Sequence, residues 1–134
     1  MRLVLGVVMG FGMMVLAQGC AFDLVHVKQT AAALDTTPQV SKGPFELQED
    51  APVDLGTGFS RTLKSKTKWD YFGSLSQGDV YRTADQVLTV EASNISEAYI
   101  VVRSGKLVGF YLPVEKTFSP LPDEILLKMA KIEP

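Results

Sequence analysis

The residues best suited to chemistry are few and widely spaced. The chain has one cysteine, Cys20, and one histidine, His26. A single thiol excludes an internal disulfide. One thiol and one imidazole fall short of the three or four ligands that a zinc site needs, so no metal site is expected. Serine–histidine or cysteine–histidine catalysis would have to run through His26, which lies in a stretch that reads as a connecting tether. Glu97 sits inside an apolar strand and Glu115 follows another. A buried carboxyl with a raised pKa can act as a general acid. No second carboxylate or nucleophile is tied to either by spacing, so Glu97 is expected to face solvent or to accept a bond from Arg82 or Arg103 across a sheet. The sequence carries no phosphate-binding loop, no GxSxG, no HExxH and no EF-hand loop. It therefore reads as a non-enzyme, with no catalytic residue to name and no cofactor implied.

The thiol has a different setting. Met1-Arg2 is followed by Leu3 to Leu16, 14 residues without charge. That is the length of a signal-peptide core and short of the roughly 20 residues that span a bilayer as a helix. The run ends in Leu16-Ala17-Gln18-Gly19-Cys20. This segment resembles the lipobox of bacterial lipoproteins. The resemblance covers those five residues and the apolar run before them. It implies cleavage between Gly19 and Cys20 and attachment of a diacylglycerol thioether to the Cys20 sulfur. It further implies acylation of the new amine. Each buried methylene contributes about 0.8 kcal/mol, so two or three acyl chains anchor durably where one does not. Ala21, rather than Asp, follows the cysteine. By the same resemblance this favours the outer membrane, with the protein facing the periplasm.

The elements that would follow such an anchor are expected in three parts: a signal peptide at 1–19, a lipidated N-terminus and flexible tether at 20–44, and a β-rich periplasmic domain at 45–134. In the tether, Phe22, Leu24, Val25 and Val27 form a small apolar patch. Asp35-Thr36-Thr37-Pro38 and Ser41-Lys42-Gly43-Pro44 are turn and linker chemistry. From Phe45 the pattern changes to period two. Strands are expected at 68–75, 80–83, 87–91, 97–103 and 107–112, joined by Gly- and Asn-containing turns. Short strands at this spacing make a mainly β fold, a small antiparallel sandwich or barrel-like meander. The strands near 98–102 and 107–112 are apolar on both faces, so both faces are expected to be covered. The tail at 124–132 reads two ways. Ile125, Leu126, Met129 and Ile132 share a helical face, while Ile125, Leu127 and Met129 alternate as in a strand. A short C-terminal helix is the preferred reading.

Composition narrows the partners. The whole chain has 13 basic and 15 acidic residues, a formal charge of −2. Loss of residues 1–19 removes only Arg2 and leaves 12 and 15, or −3. That is too close to neutral for nucleic-acid binding. Lys64, Lys66 and Lys68 alternate before Trp69 and Tyr71, and an extended backbone would place the three lysines on one face. These five residues are the candidate partner surface, either for an anionic envelope component or as a charged edge that prevents aggregation. The expected function is a lipid-anchored binding or assembly module for another envelope protein or a cell-wall component. The alternative is an inhibitor of a periplasmic or host hydrolase, by fold-level analogy with lysozyme-inhibiting lipoproteins.

Overall fold

The computed structural model describes residues 29–39, 41–84, 88–91 and 95–132. Among these residues the structure is strand and turn, without helix. Twelve strands follow in order: β1 (Thr30–Ala31), β2 (Phe45–Leu47), β3 (Ala51–Asp54), β4 (Ser60–Leu63), β5 (Lys68–Leu75), β6 (Gly78–Thr83), β7 (Thr89–Glu91), β8 (Ile95–Glu97), β9 (Tyr99–Arg103), β10 (Lys106–Leu112), β11 (Thr117–Leu126) and β12 (Met129–Lys131). Eight form one antiparallel sheet in the order β1-β11-β10-β9-β6-β5-β2-β12. Two hairpins, β3-β4 and β7-β8, stand apart as small sheets. The mainly β, antiparallel architecture expected from the alternation is what the chain adopts.

Turn chemistry sets the register of the central strands. Arg103 pairs with Lys106, leaving Ser104-Gly105 as a two-residue turn. Ser104 and Gly105 have φ of 55° and 76°. Two positive φ values are the signature of the hairpin turn whose twist matches that of its strands. Further along β10, Val108 is an extra residue. Leu107 pairs with Val102 and Gly109 with Val101, so the register shifts between them. The bulge resets the inside–outside alternation. Leu107, Phe110 and Leu112 join one apolar cluster, and Val108 and Tyr111 join the other.

The larger cluster lies on one face of the main sheet. It contains Phe45, Trp69, Tyr81, Ile100, Leu107 and Phe110 from the main sheet. Val53 and Leu63 from β3-β4 and Val90 from β7 close over it. The smaller cluster, on the opposite side, gathers Leu75, Val80, Val101, Val108, Tyr111 and Phe118. Apolar residues on both faces of β9 and β10 are thus covered, as their two-sided hydrophobicity requires.

Three expectations need correction. The tail is strand rather than helix. Leu127 is buried, Ile125 and Met129 pack partly on the core, and Leu126 is 67 % exposed. Period two prevails because both ends of the sheet need a strand there. Residues 117–126 pair with β10, and 129–131 pair with β2. The linking residues are stitched as well. The Leu127 N–H donates to Gly105 O at 2.9 Å, and Lys128 O accepts from the Gln48 N–H at 2.8 Å. The hydrogen-bond ladder does not close into a barrel, yet one stretch of chain serves both ends of the sheet.

Secondly, pairing begins well before Phe45. Thr30 and Ala31 pair with Phe118 and Thr117. Asp35 bridges Ser74, each N–H donating to the other's carbonyl at 2.9 and 2.8 Å. Residues 29–39 and 41–44 form a strap that lays Ala32 and Leu34 on the smaller cluster. Gly73 permits this approach: a Cβ there would stand 2.7 Å from Asp35 O and 2.9 Å from Leu34 Cδ1. Thirdly, the stretch expected as one strand at 97–103 breaks at Ala98, whose N–H turns to Leu88 O at 2.8 Å. β6 therefore pairs directly with β9, and β7 leaves the main sheet.

Candidate binding surface

Of the five residues expected to make a partner surface, the structure separates two groups. Lys64, Lys66 and Lys68 are exposed. They do not form one face of a strand, because residues 64–67 turn back on themselves. The Thr67 hydroxyl donates to Lys64 O at 2.7 Å, and Lys66 has a φ of 68°. Trp69 is not on the surface at all. It is 1 % exposed and stacks with Phe45 at a centroid distance of 6.4 Å. Strand parity alone does not say which face is covered, so the expected surface position of Trp69 is corrected to the core. Tyr71 is half-buried on that same inner side, its ring 5.7 Å from Tyr81. Cys20 and Gly19 lie outside the described residues.

Tyr71 marks the edge of a polar surface that the strap helps to build. Lys42 Nζ donates to Asp79 at 2.8 Å and lies 5.9 Å from the Tyr71 ring centroid. The hydrogen bond to Asp79 raises the Lys42 pKa above the ordinary lysine value. Nearby, burial is the main cause that pushes the Tyr81 phenol up to about 12, with Asp79 and Tyr71 adding to it. A raised phenol pKa means that the folded state favours the neutral form. Its stabilising contribution is complete below the unfolded value of 10.0 and is lost as pH rises through about 12. In an alkaline difference-absorbance titration, a late step near pH 12 is expected from the Tyr81 phenol. The Tyr81→Phe variant should lose that late step.

On the outward side of β5, β6 and β9, a different set of side chains converges. Asp70 and Arg82 are paired across strands β5 and β6. A cleft of about 260 Å³ is lined by Asp70, Arg82, Thr83, Glu97 and Tyr99, with the apolar Leu88 at its side. A second, shallower depression of about 400 Å³ holds Lys42, Tyr71 and Phe72 against Pro38 and Pro44 of the strap, and it also reaches Asp70. Arg82 stacks its guanidinium 5.3 Å from the Phe72 ring centroid. Phe72 in turn meets Tyr99 edge-on at 4.9 Å. Glu97 was expected to face solvent or to bond Arg82 or Arg103. It is half-buried and shares the cleft with Arg82, while Arg103 lies 3.7 Å from Glu124 instead. Glu115 accepts from the Ser96 hydroxyl at 3.2 Å. The one sequence signal for this cleft is the cross-sheet bond that Glu97 could accept from Arg82 or Arg103. Asp70 joins it as the hairpin partner of Arg82, and Tyr99 through the pairing of β6 with β9.

Elsewhere, charged side chains serve the scaffold. The Arg61 guanidinium donates to Thr89 and Glu91 and so ties β4 to β7. No family model matches the chain, no curated protein matches it in sequence, and no solved structure matches it.

Proposed function

We propose that this chain is a lipid-anchored protein of the bacterial envelope, attached through Cys20 to the outer membrane. Its β domain acts there as a binding or assembly module for another envelope component. The observation that carries the anchor is the sequence from Arg2 to Cys20, with its uncharged run and its small residue before a lone thiol. The strap adds a dimension to this reading. Thr30, the first strand residue among those described, is only ten positions beyond Cys20. Ten residues reach at most about 36 Å when fully extended. An anchored domain would work close to the headgroups rather than at the end of a leash of two dozen residues. The polar surface around Asp70 and Lys42 is the part of the described domain best furnished for contact.

Cys20→Ser tests the anchor. The variant should move from the membrane fraction to the soluble fraction of lysed cells, where the parent stays with membranes. Equal recovery of both in the membrane fraction would overturn the proposal. Crosslinking in intact cells followed by purification tests the module. A partner captured by the parent and lost in a Lys42→Glu variant is expected, and repeated recovery of the chain alone would count against it.

A further inference from the structure

Among the described residues, the cleft on β5, β6, β8 and β9 carries one cation and two carboxylates that do not pair with one another. Among the described residues, no ion pair within 4.0 Å joins Arg82 to Asp70 or Glu97, although Asp70 is its direct cross-strand neighbour. The guanidinium lies instead over Phe72. Asp70 and Glu97 are half-buried and accept no side-chain hydrogen bond among these residues. Opposite charges that line one cleft without pairing with each other leave it open to a ligand of complementary charge.

The pattern selects the ligand. A simple anion would meet two carboxylates. A simple cation on the aromatic rings would meet Arg82, which already occupies the face of Phe72. A molecule bearing both a carboxylate and ammonium groups satisfies all three residues. The formal charge of the trio is −1, which complements a ligand of net +1. The volume of about 260 Å³ is suited to one small molecule, since pockets for drug-sized ligands start at about 300 Å³.

We propose that this cleft binds a free diamino acid. The carboxylate of the ligand is held by the planar fork of Arg82, which matches carboxylate geometry with two parallel N–H donors. Its two ammonium groups are held by Asp70 and Glu97. The ring of Tyr99 packs on the methylene chain between them. This inference stands apart from the anchoring proposal, since it concerns the domain alone.

L-lysine is the probe. It is titrated into the full chain in detergent micelles while backbone amide shifts are followed by NMR. Saturable shifts are expected around residues 70, 82 and 97–99. Arg82→Gln should weaken binding at least tenfold. Lysine amide, which lacks the carboxylate, should bind the parent less tightly than lysine does, and Arg82→Gln should not weaken it. L-glutamate should bind less tightly than lysine. Arg82 is exposed, so shifts elsewhere in the variant's spectrum should match the parent and report an intact fold. No saturable shift with lysine would overturn the proposal. So would lysine amide binding the parent as tightly as lysine does, or glutamate binding more tightly than lysine.

Discussion

Trp69→Ala should lower the unfolding free energy by about 3–5 kcal/mol, the range for deleting a large aromatic from a packed core. Trp69 is held from both sides. Its register partners are Phe45 on β2 and Thr83 on β6. Its ring stacks on Phe45, Phe45 meets Tyr81 edge-on at 4.9 Å, and Tyr81 meets Tyr71. Removing the indole leaves this row of rings without its end and opens a cavity under the β3-β4 hairpin. Trp69→Phe should cost markedly less. Among the described residues the indole N–H has no hydrogen-bond partner. An unpartnered buried donor is itself unfavourable by about 1–3 kcal/mol, and phenylalanine removes it. Urea denaturation of parent and variants checks both. A loss below about 1 kcal/mol for the alanine variant would mean that Trp69 does not hold the core together.

Gly109→Ala should be about as damaging, for a different reason. A Cβ at this position would lie 2.4 Å from Ser119 O and 2.8 Å from two carbons of the Phe118 ring. The nearest atom belongs to the backbone of the paired strand, so no rotamer change relieves it. The β10-β11 ladder itself must separate. Overpacking of a tight interior costs about 1–3 kcal/mol, and a backbone clash lies at or above the top of that range. Gly105→Ala is the control. That glycine has a φ of 76° and no neighbour within 4 Å of an added Cβ. Its penalty is the conformational one alone, about 1–2 kcal/mol. If the two variants proved equally stable in urea, the close packing of β10 on β11 would be wrong.

What could be read beforehand depended on how local the signal was. β5 and β10 were legible because β-branched and aromatic residues are bounded there by turn residues within a few positions. The tail was not, because Ile125, Leu126 and Met129 satisfy a helical period as well as a strand's. Only the need of β10 and β2 for partners decides between them. The strap was hidden by its composition. Alanines, threonines and a proline read as a linker, and what docks them is the missing side chain at Gly73, some forty residues away. Trp69 shows the same limit at a single residue. An aromatic at an alternating position fits a wet face as well as a dry one until its neighbours are known. The cleft lay further out of reach, since Glu97 on β8 lies beside the β5-β6 pair of Asp70 and Arg82 only in the folded arrangement in which β7 and β8 stand apart from the main sheet.

The stretch from Thr117 to Lys131 has a consequence for the order of events when the chain folds. It supplies a strand to β10 at one end of the sheet and to β2 at the other, so Lys131 must find Phe45 across 86 positions of sequence. Contacts of that separation make a topology slow to form. A chain that emerges from its N-terminus can make the β5-β6 and β9-β10 hairpins early, but neither rim of the sheet is finished until the final strand arrives. Until then the exposed edge of β2 is free to pair with another chain. The late arrival of those last residues lengthens the time in which one copy can pair with another.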